Sequence, residues 1–326
     1  MKPFQWLMFA ALASCAPPLV APQQDGSVDA SMPSDEGPEA SLMPEVSVPV
    51  DAGFRCTRGA RAPLGDPLLC NGSAQLCSLR FDQGIYPTTH NSFAIEDERF
   101  GAPNQRRSLR TQLDDGVRGL MLDVHYDRGR VYLCHGPCSL GRRLFSDALC
   151  ELTRFLDERP DAVLTLILES YVSANDVVRS FEESSLIERV YAHPVGSPWP
   201  TLESLVRRDK RVIVLTDREG GAPDWYMPVW THARETPYAA RTPEELAPCT
   251  MNRGRAGNAL LIFNHFLTNP LGSPELSAMV NHNPFLLDRA RRCEQTFGQP
   301  LNFVTVDYYD VGDLFATTRA LQGLTP

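Results

Sequence analysis

From residue 84 to residue 322 the chain alternates two textures. Short runs are apolar at nearly every position; the longer segments between them repeat apolar residues every three or four places. The runs at 84–89, 117–125, 162–168, 211–216, 227–231, 259–263 and 301–306 predict strands. Residues 130–134 predict a hairpin partner for 117–125 across Asp127-Arg128-Gly129. Helical spacing predicts helices at 108–115, 146–159, 175–190, 202–207, 284–297 and 310–322, with Ser108 as an N-cap and Gly116, Pro160 and Gly298 as stops. Strands that are apolar throughout belong in a sheet covered on both faces. Their alternation with helices over roughly 250 residues predicts an α/β fold, a distorted (β/α) TIM barrel. A doubly wound open sheet is the alternative, although no G-x-G-x-x-G turn follows any strand.

The predicted strands stop on polar residues: His90, Asp123, Glu169, Asp217, His265 and Asp307, and the hairpin leads to His135. In barrels of this kind chemistry sits at the C-terminal rim of the strands. Each such residue alone is more often a satisfied structural group. Two imidazoles beside an amide and carboxylates, however, suit general base and acid work on a phosphodiester. Asn91, Asp123 and Glu169 offer hard oxygen donors, which suit Ca²⁺ better than a soft metal. Strand alternation places His125 on the face of Met121 and Asp123, where it is a candidate for holding substrate charge. Arg118 reads either as an ion-pair partner or as a phosphate ligand. Asp217, Arg218, Trp230, His265 and Tyr308 complete the candidate substrate pocket.

Composition adds an address. Lys2, an apolar segment and Leu12-Ala13-Ser14-Cys15 read as a signal peptide over residues 1–15 with a lipobox-like end. This predicts an exported bacterial lipoprotein anchored through Cys15, or otherwise a secreted protein. Residues 16–53 carry seven prolines, seven acids and no Lys or Arg, which predicts an extended acidic linker. The net charge of −9 divides into +1 from Lys2, −7 from this segment and −3 from residues 54–326. The predicted catalytic body, 54–326, therefore has no basic excess of the kind a nucleic-acid binder shows. Eight cysteines beyond Cys15 predict up to four disulfides without fixing their pairing, and Cys134-His135-x-x-Cys138 lacks the second half of a zinc motif. Lys210 is the body's one lysine and stands in no fitting motif, which argues against a Walker-type phosphate lysine and Schiff-base chemistry.

Taken together, T-T-H-N-S (88–92), P-N-Q (103–105), Q-L-D-D-G-V-R-G-L-M-L-D (112–123), L-C-H-G (133–136), L-I-L-E-S-Y-V (166–172) and F-V-T-V-D-Y-Y (303–309) resemble the phosphatidylinositol-specific phospholipase C X-domain superfamily. The resemblance implies a PLC-like phosphodiesterase barrel, with His90 as base, His135 as acid and Asp307 orienting His90. It further implies that Asn91, Asp123 and Glu169 match calcium-holding positions of the metal-dependent branch. That branch has a further acid where this chain has Met121, and the metal-independent branch has an arginine where this chain has Asp123, so the metal stays open. The implied reaction is attack of an inositol 2-hydroxyl on its neighbouring phosphodiester, releasing diacylglycerol and a cyclic phosphate. The implied partner is a phospholipid or glycan-phospholipid at a membrane surface, met by a monomer. Glycerophosphodiester hydrolysis is an alternative, against which His90-Asn91-Ser92 replaces the usual His-Arg-Gly. A non-catalytic domain binding inositol or glycan phosphates is the other.

Overall fold

The computed structural model describes residues 56–218 and 220–324. The predicted signal peptide, Cys15 anchor and linker lie outside the described residues. Ten strands form one sheet: β1 (Tyr86–Thr89), β2 (Gly119–Asp127), β3 (Arg130–Leu133), β4 (Arg143–Leu144), β5 (Leu164–Ser170), β6 (Val212–Thr216), β7 (Tyr226–Pro228), β8 (Ala233–Glu235), β9 (Leu260–Asn264) and β10 (Phe303–Val306). Eight run parallel in the order β7-β6-β5-β2-β1-β10-β9-β8, and β3 and β4 add an antiparallel flap to β2. The helices are α1 (Leu109–Asp115), α2 (Phe145–Glu158), α3 (Ala174–Glu183), α4 (Leu202–Arg207), α5 (Val229–His232), α6 (Pro243–Leu246), α7 (Pro274–Val280), α8 (Phe285–Phe297) and α9 (Leu314–Leu321).

Alternation along the strands builds two apolar layers. One face of each strand, with Leu120, Leu122, Leu166, Leu168, Val214, Phe263 and Val304, packs under helices through Leu149, Phe155, Phe181, Leu286 and Leu314. The other face, with Ile167, Ile213, Leu215, Ile262 and Phe303, fills the inside of the curl. The barrel is distorted by a break, because no ladder joins β7 to β8 among the described residues. The expected strand at 227–231 is the origin of that break. Pro228 ends β7 and caps the one-turn helix α5, so the chain leaves the sheet and re-enters as β8.

Residues 56–80 close the end opposite the strand C-termini. Asn71 Oδ1 accepts from the backbone N–H of Val163 at 2.8 Å and from Arg118 Nε at 3.2 Å, at the starts of β5 and β2. The eight cysteines pair as Cys56–Cys150, Cys70–Cys77, Cys134–Cys138 and Cys249–Cys293. The helix expected over 175–190 stops at Ser184 because Ser185 turns left-handed (φ 59°) before a 3₁₀ turn, Leu186–Arg189. The last helix starts at Leu314 rather than 310, after a left-handed Gly312 (φ 96°).

Candidate active site

The site is assembled at the C-terminal ends of β1, β2, β5, β6, β8 and β10. His90 follows β1 directly, and its backbone N–H donates to the Val306 carbonyl of β10 at 3.0 Å. The next residue, Asn91, takes a left-handed conformation (φ 43°) that asparagine tolerates better than most side chains. That turn sends two consecutive side chains into one cavity. The rest of T-T-H-N-S secures it: Ser92 Oγ contacts Thr89 Oγ1 at 2.7 Å and accepts from the Met121 N–H at 3.1 Å, while Gln112 Nε2 donates to the Ser92 carbonyl at 2.7 Å.

His90 is oriented from its far nitrogen. Nδ1 lies 2.8 Å from Asp307 Oδ1, whose other oxygen accepts from Asn104 Nδ2 at 3.0 Å. Phe266 stacks on the imidazole at 4.0 Å with the two ring planes nearly parallel. Burial presses the His90 pKa down, but the Asp307 charge and hydrogen bond, then Asp123 and Glu169, more than offset it, and the net direction is up. His135 is held by a neutral acceptor, since its Nδ1 donates to the Ala102 carbonyl at 2.6 Å. Burial lowers its pKa, and nearby His90 adds to the lowering. The two histidines are therefore set apart in opposite directions.

The Asn91 amide links them. One end lies 3.2 Å from His90 Nε2, 3.2 Å from His135 Nε2 and 3.1 Å from Asn104 Oδ1; the other lies 3.2 and 3.3 Å from the two Asp123 oxygens. Because Nδ1 of each ring faces an acceptor, each neutral ring presents Nε2 as an acceptor. Neutral rings thus select the orientation with the Asn91 NH₂ towards them. That turns its carbonyl oxygen on Asp123, where a proton or a cation must intervene. Asn104 Oδ1, which accepts from Asn91 Nδ2 at 3.1 Å, favours the same orientation; protonated rings favour the opposite one, with NH₂ donating to the Asp123 carboxylate but the Asn91 oxygen set against Asn104 Oδ1.

Asp123 and Glu169 are direct neighbours across β2 and β5, and Asp217 follows β6. Burial, then the like charge of Glu169, pushes Asp123 up to about 7, against a lowering by His90 and a further rise from Asp217. Asp217 is raised by burial as well, while its Oδ1 accepts from the Ser170 N–H at 3.1 Å. Across the cavity, Arg253 donates to Glu235 at 2.5 Å and lies over the rings of Trp230 at 4.3 Å and Tyr238 at 4.8 Å. Ile167, Ile262 and Met121 form its apolar floor.

Seven of the sequence-derived candidates thus converge: His90 hydrogen-bonded to Asp307, His135 facing the same Asn91 amide as His90, and Asp123, Glu169 and Asp217 beside them. Trp230 lines the same cavity. Others do not. Arg118 stands at the opposite end of β2, donating to the carbonyls of Leu113 and Val117, so it closes the C-terminus of α1 rather than holding phosphate. His265 is fully buried between the Val280 carbonyl and Arg289, which drives its pKa down to about 3. Tyr308 turns away from the cavity and donates its hydroxyl to the Pro103 carbonyl at 3.0 Å. His125 shares the face of Asp123 but stands further out, stacked on Tyr171 at 4.4 Å, with Arg218 over the same tyrosine at 4.2 Å.

Sequence reasoning assigned no role to Asn104, Glu235, Tyr238, Arg253 or Phe266. Asn104 was visible within P-N-Q. Glu235 ends a three-residue strand too short to alternate, and Arg253 follows in a loop without periodicity.

A family model described as PI-PLC X 1 matches residues 76–322. Among curated proteins, an uncharacterized secreted protein of Arthroderma benhamiae is 26% identical over 272 residues, covering 75% of this chain and 61% of its own. A PI-PLC X domain-containing protein of Arabidopsis thaliana is 28% identical over 300 residues, covering 82% and 66%. The chain thus spans about two-thirds or less of the length of either relative. Among solved structures, a phosphatidylinositol-specific phospholipase C from Listeria monocytogenes superposes with TM-score 0.50 at 15% identity, covering 77% of this chain and 97% of that one. One from Staphylococcus aureus gives 0.54 at 11% identity, covering 77% and 95%. These structural likenesses carry the barrel fold alone. With the family model spanning nearly all of the barrel, from before β1 to beyond α9, the chain belongs to the PI-PLC X domain family.

Proposed function

We propose that the chain is a phosphodiesterase of the phosphatidylinositol phospholipase C type, acting on a phospholipid or glycan-phospholipid by intramolecular attack. The carrying observation is that Nε2 of His90 and Nε2 of His135 both lie 3.2 Å from one amide position, so the two rings address a shared point. Neutral His90 Nε2 takes the proton of the attacking hydroxyl as its oxygen bonds to phosphorus. The bond from phosphorus to the glyceryl oxygen breaks, and that oxygen takes a proton from Nε2 of protonated His135. Asp307, itself fixed by Asn104, keeps the His90 proton on Nδ1 and stabilises the imidazolium that forms. The Trp230–Tyr238 wall, with Arg253, Glu235 and Asp217, offers the apolar faces and paired polar groups a cyclitol or sugar needs.

We further propose that this corner of the cavity takes a hard cation, although among the described residues no group of three or more His, Cys, Asp or Glu side chains is placed to hold a metal ion by itself. With both rings neutral, the Asn91 carbonyl and the Asp123 carboxylate face each other acceptor to acceptor, and Asp123, Glu169 and Asp217 line the same cavity. Asn91, Asp123 and Glu169 would hold Ca²⁺, which when bound supplies charge neutralisation of the phosphate. We further propose an exported protein anchored through Cys15.

The test is phosphatidylinositol incubated with the purified protein, with and without chelator. The expected product is a water-soluble cyclic inositol phosphate. It should be lost in His90→Ala and His135→Ala and reduced by chelator. Binding of inositol phosphate without turnover in the wild type would instead establish the non-catalytic reading, which Met121 in place of a fourth acid keeps open.

A further inference from the structure

His135 lies inside the smallest disulfide loop among the described residues: C-H-G-P-C, closed by Cys134–Cys138 four residues apart. Cys134 is fully buried, and its N–H donates to the Asp123 carbonyl at 3.2 Å, so one end of the loop is fixed to the strand that carries Asp123. Gly136 next to the histidine is left-handed (φ 69°), and Cys138 opens a short 3₁₀ turn, Cys138–Leu140. The turn in turn accepts from the neighbouring loop, with Gly101 N–H donating to the Leu140 carbonyl at 2.5 Å. That same loop supplies the Ala102 carbonyl for His135 and, two residues later, Asn104 for Asp307. Without the sulfur bridge, only the Ala102 carbonyl and the Asn91 amide would aim His135 on a glycine-proline loop.

We propose that the Cys134–Cys138 disulfide is a positioning device for His135, and that its reduction by a dithiol switches the site off while the barrel stays folded. The inference rests on the phospholipase reading for its activity readout. In the exchange, a thiolate of the dithiol attacks Sγ of Cys138, the partly exposed half, and Cys134 leaves as thiolate. The second thiol of the reagent then displaces Cys138, leaving the reagent oxidised to its disulfide and both cysteines reduced. Cys56–Cys150 and Cys70–Cys77 are buried at both ends and lie away from the site, so they serve as internal controls.

The experiment uses the full chain. The double substitution Cys134→Ser with Cys138→Ser is compared with Cys70→Ser with Cys77→Ser, and wild type is titrated with dithiothreitol under native conditions while alkylation maps the free thiols. A catalytic group displaced by about an ångström loses on the order of 100-fold. Expected is a 10- to 100-fold fall in kcat for the 134/138 pair with KM within threefold, recovered in dithiothreitol-treated wild type on reoxidation, and kcat within threefold for the 70/77 pair. Amide hydrogen exchange is read in parallel and needs no substrate: Gly101 and Cys134 should exchange faster on reduction, with the strand amides of β5 and β6 unchanged. Folded 134/138 protein with kcat within threefold of wild type would overturn the proposal. If wild type turns over no phosphatidylinositol, the functional reading fails by itself. The exchange data then still decide whether the bridge holds the His135 loop, and unchanged exchange at both amides would refute it.

Discussion

Replacing Asp307 by asparagine tests the base assignment at its support rather than at the ring. Asp307 is fully buried and accepts twice, from His90 Nδ1 at 2.8 Å and from Asn104 Nδ2 at 3.0 Å. An amide can satisfy only one of these. Turning its oxygen to His90 sets NH₂ against NH₂ at Asn104; turning it the other way sets NH₂ against the His90 proton. A hydrogen bond to a charged group contributes about 1.5–3 kcal/mol, which predicts a kcat lower by roughly 10- to 150-fold in Asp307→Asn. The pH profile separates this from general damage. With His90 raised and His135 lowered, the acid limb of kcat/KM belongs to His135 and the alkaline limb to His90. Between the limbs the dominant species carries its proton on His90, and the productive species, neutral His90 with protonated His135, is a constant minor fraction. Removing the Asp307 charge lowers the His90 pKa, so the alkaline limb should move to lower pH and narrow the bell. A fall in kcat with an unmoved alkaline limb would refute the argument, as would activity within threefold of wild type.

Three further outcomes follow from the contacts. Asn104→Ala, which leaves Asp307 with His90 but without its second donor, should lower kcat about tenfold with little change in melting temperature, measured by turnover and by thermal melts. Arg211→Met should lower unfolding free energy by roughly 2–4 kcal/mol in urea, because the fully buried guanidinium donates to the carbonyls of Leu156, Arg159 and Ala162 and ties off the end of α2. In chelator, wild-type stability should fall as pH climbs from about 4 through 7, because folded Asp123 keeps its proton to about 7 while the unfolded carboxyl has lost it. Asp123→Asn should remove that fall, a gain bounded at about 4 kcal/mol, read as a melting-temperature difference that grows between those pH values.

Much of the barrel was legible because its strands are apolar on both faces and its first helix carries its own punctuation, Ser108 before α1 and Gly116 after it. The histidine pair was legible because each stands at the end of such a strand or hairpin. What stayed hidden has one physical cause: charge inside. β8 is Ala-Arg-Glu, and it sits in the sheet because Arg234 donates to the Phe297 carbonyl while Glu235 binds Asn252, Arg253 and Asn264. No pattern of apolar residues reports a strand stabilised in that way. Arg118 and His265 misled for the converse reason. Each polar side chain at a strand terminus is satisfied by backbone carbonyls from an adjacent element, and those partners are invisible until the chain is folded. The P-N-Q segment shows a third case, in which Gln105 donates to the carbonyls of His90 and Val306 and so joins β1 to β10 at the site.

The cavity's charge leads to a last prediction. Among the described residues that line it, the one arginine, Arg253, is already paired with Glu235, and Asp123, Glu169 and Asp217 stand opposite. Neutralising a bound phosphate therefore falls to the two imidazoles or to a cation held by Asn91, Asp123 and Glu169. These routes respond oppositely to pH. Protons on His90, His135 and Asp123 reduce the cavity's negative charge and also displace a cation from its ligands, whereas higher pH restores the carboxylate that a cation needs. Substrate affinity in chelator should thus be strongest in mild acid and weaken as pH rises through about 7. Added calcium should reverse that trend, lowering KM most on the alkaline side. The measurement is KM against pH with chelator and with millimolar calcium, for wild type and for Asp123→Asn. Asp123→Asn should lose most of the calcium response while keeping the affinity seen in acid. Parallel KM curves with and without calcium in the wild type would show that the acids serve the fold or the head group, and that phosphate is met by imidazolium alone.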